Sequence, residues 1–212
     1  MSEIYVFDMD GVLIDSMPYF EEALCRILQE ENVPYPDEFI HIITPLGYRG
    51  TAEYLVNVLN VKDSVENLLE RMYQILYLQY AEHIELKEGV RNYVEKLFDQ
   101  NARMFVLTAS PHLVADVCLQ NNGIYDKFEA VWSIEEFNGL TKSDILLFYK
   151  VADKIGCKTE DIHYFDDNLT AIQNASRANC ITYAVEDRQS KEMQKELKNM
   201  AIHYVHSFKM LN

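Results

Sequence analysis

IYVFDMDG, residues 4–11, is the stretch of sequence that decides the fold. Its first four residues form a short apolar run of β-branched and aromatic side chains, which is typical of a buried central strand. Asp8, Asp10 and Gly11 follow at once, so two carboxylates stand in a turn at the carboxyl end of that strand. Open α/β sheets bind their ligands at this edge. The stretch therefore predicts both a sheet strand and a candidate site.

From about residue 86 onward, short apolar runs alternate with helical patterns. The apolar runs are MFVL, EAVW, IHYF and ITYAV, at 104–107, 129–132, 162–165 and 181–185. The helical patterns cover 90–99, 111–121, 143–154 and 168–178. Ser110 and Pro111 resemble an N-cap followed by the first helical residue. This alternation predicts an α/β, Rossmann-like core with a parallel sheet and covering helices.

The segment between the first strand and this core has a different period. From Met17 to about residue 85, apolar residues recur at helical spacing, and Lys and Arg are scarce. We predict an all-helical cap domain at 16–85, inserted after the first strand into a core made of 1–15 and 86–212. The segment TPLGYRGTAEY, 44–54, is its Gly-rich interruption and is predicted to be a loop.

The charge balance excludes several classes of partner. The 212 residues include 19 Lys and Arg against 34 Asp and Glu, a net charge of -15, which repels nucleic acid and anionic membranes. No uncharged apolar stretch approaches the ~18 residues of a spanning helix, and Glu3 and Asp8 stand where a signal peptide would be basic and then apolar. We expect a cytoplasmic protein, a monomer or weak homodimer, that holds an anionic substrate by a local device.

A second acidic cluster follows the run at 162–165. Asp166 and Asp167 stand between this strand and the next helix, and a helix N-cap explains one of the two acids but not both. If neighbouring strands carry both clusters, four carboxylates converge, which is costly unless a cation neutralises them. Hard oxygen ligands suit Mg²⁺. A calcium loop does not fit, because Gly11 comes too early.

Two further residues are predicted at the same edge. Thr108 ends the run at 104–107, and its hydroxyl can hold an anion together with the following helix N-terminus. Lys142 stands at the start of a predicted helix, where the helix dipole disfavours a cation unless an anion lies beside it. The alternatives are a strand-end turn residue and a solvated surface lysine.

Four motifs carry a family resemblance. DMDGVLIDS (8–16), LTAS (107–110), TKSD (141–144) and YFDDN (164–168) occur in this order and resemble those of the haloacid dehalogenase superfamily, in its Mg²⁺-dependent phosphatase and phosphomutase branch. The resemblance implies that Asp8 is the nucleophile, forming an aspartyl-phosphate. It also implies that Asp10 is the general acid and base, with its backbone carbonyl at the metal.

The resemblance extends to the other site residues. It implies that Asp8, Asp166 and Asp167, together with Asp10, hold the metal, and that Thr108 and Lys142 bind the phosphoryl oxygens. Ser110 of the second motif is also expected to bind substrate. In the cap segment, Arg49 resembles an arginine that grips a distal phosphate in sugar-phosphate mutases, but a surface turn is the alternative. Tyr48 either lines the pocket or packs between the domains.

The predicted function is Mg²⁺-dependent hydrolysis of a small phosphate ester. A phosphomutase of the same family is the first alternative, and it differs by returning the phosphoryl group to the same sugar. A non-catalytic signalling or binding module with a phosphorylated Asp is the second alternative. The inserted cap and the paired acids of DMDG argue against that module.

Overall fold

In this computed structural model, residues 2–43, 46–188 and 190–211 are described. Contacts divide the chain into two compact units, Met1–Asp15 with Ile84–Asn212 and Ser16–His83, here called the core unit and the helical unit. The predicted division was 1–15 and 86–212 against 16–85. Residues 84 and 85 belong to the core unit, where the Ile84 carbonyl accepts from Asn122 Nδ2 at 2.9 Å and the Glu85 carbonyl accepts from the Asp15 N–H at 3.3 Å.

The described part of the helical unit, 16–43 and 46–83, contains helices and no strand. The helices are α1 (Met17–Glu30), α2 (Phe39–Ile43), α3 (Gly47–Asn57) and α4 (Val65–Glu82). Ser64 caps α4, since its hydroxyl accepts from the Asn67 N–H at 3.1 Å. The unit has its own apolar cluster, which includes Leu24, Phe39 and Met72. The all-helical prediction for this segment is confirmed over these residues.

The predicted loop at 44–54 is wrong from residue 47 onward, because α3 begins at Gly47. Thr44 and Pro45 lie outside the described residues. Tyr48, Ala52 and Leu55 recur at helical spacing and pack in the apolar cluster of the unit. Packing of this face outweighs the cost of about 1 kcal/mol for a glycine inside a helix.

The core unit contains a six-stranded parallel sheet. The strands are β1 (Ile4–Phe7), β2 (Arg103–Thr108), β3 (Ala130–Ser133), β4 (Ile162–Asp166), β5 (Ile181–Val185) and β6 (His203–Val205). Their order is β3-β2-β1-β4-β5-β6, and Phe7 is in register with Val106 of β2 and Phe165 of β4. The carboxyl ends of β1, β2 and β4 are therefore neighbours at one edge, and the predicted Rossmann-like fold is confirmed.

Over the described residues, five α-helices accompany this sheet, the first four in the predicted order and the fifth, α9, not predicted. They are α5 (Val90–Asp99), α6 (His112–Asn121), α7 (Ile145–Ile155), α8 (Leu169–Arg177) and α9 (Gln194–Met200). One apolar cluster joins Val6 and Leu107 of the sheet to Phe148 of α7 and Ile172 of α8. Gly156 ends α7 with a φ of +78°, a backbone conformation that glycine adopts without a Cβ penalty.

One local expectation in the core unit is wrong, and one strand of the sheet was not predicted. Pro111 is the N-cap of α6 rather than its first helical residue, and the Ser110 side chain does not cap the helix. Strand β6 was not predicted, because its three residues include His203 and a half-exposed Tyr204 and form no apolar run. Over the residues described, the structure contains no helix with the length and apolarity needed to cross a membrane.

Candidate active site

Asp8 lies where the central strand ends. Its N–H donates to the Phe165 carbonyl at 2.8 Å, which extends the pairing of β1 with β4 by one residue. The side chain is buried, with the residue only 7% exposed. Because a carboxylate is rarely buried without compensation, the neighbours of Asp8 decide what it can do.

Three acidic residues converge at this point. Asp8, Asp166 and Asp167 each present a carboxylate oxygen, and these oxygens lie within 4.8 Å of one another. Asn168, not either acid, is the N-cap of α8, accepting from the N–H groups of the next turn at 2.9 and 3.2 Å. Helix capping therefore explains neither Asp166 nor Asp167, and both remain candidates for chemistry.

Lys142 compensates part of this negative charge. Its Nζ lies 2.5 Å from Asp8 Oδ1 and 2.9 Å from Asp166 Oδ2. The expected position at a helix start is wrong, because α7 begins at Ile145 and Lys142 lies in the preceding turn. The two carboxylates, rather than relief of an unfavourable helix dipole, therefore explain why a lysine with only 13% of its side chain exposed stands here.

Two contacts that support this arrangement were missed at the level of sequence. Asn174 of α8 donates to the carbonyls of Lys142 and Ser143 at 3.3 and 3.0 Å, which fixes the lysine turn. Tyr164 of β4 donates its hydroxyl to Asp166 Oδ2 at 2.5 Å. An asparagine on the apolar face of α8 was a readable signal, since buried polar side chains have partners. Nothing in the sequence pairs Tyr164 with Asp166.

Asp10 is held by the second motif. Its Oδ2 accepts from the Ser110 hydroxyl at 2.7 Å and from the Thr108 hydroxyl at 3.4 Å. The Ser110 N–H donates to Thr108 Oγ1 at 3.0 Å. Asp10 is thus turned toward the end of β2, and among the described residues its carboxylate does not belong to the three-acid cluster. The predicted metal contact of Asp10 is through its backbone carbonyl, and it stays a prediction.

Electrostatics show what the cluster requires. Burial raises the pKa of Asp8 to about 8, with Asp166 and Asp10 adding to the effect and Lys142 opposing it. Burial likewise raises the pKa of Asp167. Burial disfavours the ammonium of Lys142, but Asp166 and Asp8 raise its pKa above the usual value. One lysine does not balance three acids, and a group of hard oxygen donors this close together fits a divalent metal ion.

A pH dependence of stability follows from the raised pKa of Asp8. A carboxyl group whose pKa is higher in the folded state favours folding at low pH, and this contribution is lost as pH rises toward about 8. Bound metal would stabilise the ionised carboxylates instead. We expect the rise in melting temperature on adding Mg²⁺ to be larger at about pH 8 than at about pH 5.5. An increment that does not change with pH would contradict this prediction.

Gly11 allows Asp167 to approach the 8–11 turn. Its φ is +75°, and a Cβ on this residue would lie 2.7 Å from Asp167 Oδ2. Gly156 has a similar φ of +78°, but a Cβ there would meet nothing within 4 Å. The two glycines have the same left-handed backbone conformation, but only at Gly11 would an added Cβ meet an acidic side chain.

The substitution Gly11→Ala is expected to displace Asp167 and to weaken divalent-metal binding by about 10- to 100-fold. Gly156→Ala is the matched control, because it adds a comparable backbone strain of about 1 kcal/mol without touching an acid. The metal affinity of both variants is measured by titrating the metal ion and recording the melting temperature at each concentration. Equal metal affinity in Gly11→Ala and Gly156→Ala would show that the contact with Asp167 is unimportant.

Arg49 and Tyr48 belong to the helical unit. Arg49 lies in α3 rather than in a loop, and its Nη1 is 3.6 Å from Glu66 Oε1, with both side chains mostly exposed. Tyr48 packs against Phe20 and Tyr73 with ring centroids 5.6 and 5.5 Å apart. Within its unit, Tyr48 is therefore a packing residue, and the role of Arg49 stays a prediction.

The fold and the acidic edge define a Rossmann-type enzyme core that carries a carboxylate cluster. A family model described as haloacid dehalogenase-like hydrolase matches residues 5–185. The chain belongs to the haloacid dehalogenase-like hydrolases. The predicted family and the prediction of a hydrolase are therefore confirmed.

Three relatives illustrate the similarity. The "Phosphorylated carbohydrates phosphatase" of Thermotoga maritima is 26% identical over 177 residues, covering 83% of this chain and 81% of that protein. A putative beta-phosphoglucomutase from Thermotoga maritima matches with a TM-score of 0.78 at 23% identity, over 99% of this chain and 97% of that one. CbbY from Rhodobacter sphaeroides, in complex with xylulose-(1,5)bisphosphate, matches with a TM-score of 0.85 at 14% identity, over 100% and 97%.

The predicted phosphatase activity agrees with the name of the curated relative, and the mutase alternative agrees with the name of a structural neighbour. The structure places seven predicted residues together at one edge of the core sheet: Asp8, Asp10, Thr108, Ser110, Lys142, Asp166 and Asp167. Their individual chemical roles remain predictions.

Proposed function

We propose that this protein is a Mg²⁺-dependent phosphomonoester hydrolase that acts on a small phosphorylated carbohydrate through an aspartyl-phosphate on Asp8. The observation that carries the proposal is the buried Asp8, which contacts Lys142 and faces Asp166 and Asp167 at the ligand-binding edge of a parallel sheet. A structural carboxylate would not need two further acids beside it.

The metal would be held by Asp8, Asp166 and Asp167, together with the backbone carbonyl of Asp10. Carboxylate and carbonyl oxygens without nitrogen or sulfur donors favour Mg²⁺ over Zn²⁺ or copper. Bound there, Mg²⁺ would offset the negative charge that the phosphate and the carboxylates share.

The proposed reaction has two steps, phosphoryl transfer to Asp8 and hydrolysis of the aspartyl-phosphate, and residues of this chain act in both. The Asp8 carboxylate attacks phosphorus and the ester P–O bond breaks, while Asp10 gives its proton to the departing alkoxide. Asp10, now ionised, takes a proton from the water that attacks the aspartyl-phosphate, which releases inorganic phosphate and restores Asp8. Lys142 and the Thr108 hydroxyl stabilise the phosphoryl oxygens during both transfers.

The contacts of Asp10 support its part in this scheme. The Ser110 hydroxyl, 2.7 Å from Asp10 Oδ2, holds the carboxylate beside Thr108 at the end of β2. We therefore assign Ser110 the role of orienting Asp10 in addition to its predicted contact with substrate. A group that transfers a proton twice in one cycle benefits from such a fixed position.

The substrate class is proposed from the relatives and from charge. The curated relative is named for phosphorylated carbohydrates, and one neighbour holds a sugar bisphosphate. Arg49 is the proposed contact for a second anionic group of the substrate. Its ion pair with Glu66, at 3.6 Å, is exposed, so breaking it to bind that group would cost little free energy. The predictions of a cytoplasmic monomer or weak homodimer without nucleic-acid or membrane partners rest on sequence and charge.

The test is a panel of sugar phosphates and short-chain phosphate esters, assayed with Mg²⁺ and with a chelator. We expect free phosphate to appear with Mg²⁺ and to be absent with the chelator. Product analysis by phosphorus NMR separates the two enzymatic candidates, because a mutase yields an isomeric sugar phosphate and little free phosphate. Activity that is unaffected by the chelator would refute the proposed mechanism.

A further inference from the structure

Lys87 is a half-buried lysine whose three ammonium donors all have acceptors. Its Nζ donates to the carbonyl of Gly11 at 2.7 Å, to the carbonyl of Glu186 at 2.7 Å and to Asp187 Oδ2 at 3.0 Å. The side chains of Lys87 and Asp187 are 19% and 2% exposed. An ammonium has three donors, so this lysine is satisfied by the protein alone.

The backbone of Lys87 is anchored independently of its side chain. The chain leaves the core unit after Asp15 and returns to it at Ile84, and these two segments pair with each other. The Lys87 N–H donates to the Leu13 carbonyl at 2.9 Å, and Ile14 forms an antiparallel bridge with Leu86. The Lys87 side chain therefore extends from an anchored backbone, so it can restrain the segments that its ammonium contacts.

The Lys87 ammonium contacts the turn that carries the carboxylates of the first motif, Asp8 and Asp10. Gly11 directly follows Asp10, and its N–H donates to the Ile14 carbonyl at 3.0 Å. Asp167 packs against the Cα of Gly11, where a Cβ would clash. The orientation of the Gly11 carbonyl consequently sets the peptide plane at the point where this turn meets the acidic cluster.

We propose that Lys87 is a positioning residue that fixes the 8–11 turn, through the Gly11 carbonyl, onto the loop that follows β5. Its ammonium contacts two segments that lie 76 and 99 residues away in sequence. The kinetic consequences of this inference rest on the proposed function, whereas the restraint on the turn does not.

Variants at Asp187 distinguish a positioning role of Lys87 from a role in balancing the charge of Asp187. Lys87→Met removes all three hydrogen bonds and the ion pair with Asp187. Asp187→Asn removes the charge of the partner but leaves the ammonium bonds to the carbonyls of Gly11 and Glu186. The double variant Lys87→Met/Asp187→Asn removes both charges, so it restores charge balance without restoring the restraint on the turn.

We expect kcat to fall about 10- to 100-fold in Lys87→Met and in the double variant, with KM changed less than about threefold. Asp187→Asn is expected to stay within about threefold of the parent, and Lys87→Arg to recover part of kcat. A cavity of 360 Å³ beside Lys87, also lined by Arg188 and Lys191, leaves room for the guanidinium. Parental kcat in Lys87→Met or in the double variant would overturn the proposal.

Lys191→Met is the matched control, because Lys191 lines the same cavity and is exposed. Amide hydrogen exchange gives a readout that needs no activity: exchange in a peptide covering 8–14 should quicken at least about tenfold in Lys87→Met and remain parental in Lys191→Met. Unchanged exchange in Lys87→Met refutes the positioning role. If the wild type lacks turnover but the exchange result holds, the proposed function fails and the role of Lys87 stands.

Discussion

Replacing Asp8 with asparagine is expected to lower phosphate release from a generic aryl phosphate by at least about 10⁴-fold. Removing the nucleophile of an enzyme that works through a covalent intermediate commonly costs more than this. Asparagine has the volume of aspartate, but its amide cannot form the acyl phosphate. The measurement is phosphate release with Mg²⁺, and mass spectrometry of the quenched wild type should find a phosphoryl group on Asp8.

The fold of Asp8→Asn should persist. The substitution removes one of three close carboxylates, and Lys142 keeps its contact with Asp166 Oδ2 at 2.9 Å. Metal-free stability is therefore expected to stay level or to rise. Asp153→Asn, on the exposed surface of α7, is the control for a change in net charge alone. Activity above about a tenth of the parent in Asp8→Asn would exclude Asp8 as the nucleophile.

Lys142→Met is the second substitution for which a large effect is expected. It leaves Asp8 and Asp166 buried without their shared cation, and breaking a buried ion pair from one side costs about 3–5 kcal/mol. Lys142 opposes the rise in the pKa of Asp8, so without the lysine Asp8 would bind a proton more readily, and the loss of metal-free stability should be larger at about pH 8 than at about pH 5. Turnover should also fall by about 10³-fold, because the proposed donor to the phosphoryl oxygens is removed.

The control for this variant is Lys154→Met on α7. Lys154 pairs with Glu136 at 3.4 Å, and its side chain is 41% exposed, so its loss should cost no more than about 1 kcal/mol. Thermal unfolding at both pH values, with and without Mg²⁺, measures the stabilities. Mg²⁺ should restore part of the stability of Lys142→Met but not its turnover. Equal unfolding curves for the two lysine variants would contradict this account.

Much of the fold was predictable because it depends on local periodicity. Four of the strands after the insertion were read from apolar runs, and β1 was read from the run that precedes Asp8. Packing overrode local signals at two places. Residues 47–54 formed a helix because the side of α3 bearing Ala52 packs in an apolar cluster, and β6 formed at a sheet edge that β5 provides.

The acidic site was predictable for a related reason. The carboxyl ends of adjacent parallel strands meet at one edge, so Asp8 and Asp166 had to approach each other once β1 and β4 were neighbours. The sequence did not show which residues hold this arrangement. Asn174 supports the lysine turn, Tyr164 binds Asp166, and Asn168 caps α8 in place of an acid.

The sequence by itself determined the family, the alternation of strands and helices and the residues that make up the acidic edge, because each is encoded in short motifs or in periodicity. Only the tertiary structure decided that Lys142 contacts both Asp8 and Asp166 and that Lys87 donates a hydrogen bond to the Gly11 carbonyl. These contacts join residues from 24 to 134 positions apart, and the distance between such residues depends on how the whole sheet and its helices pack.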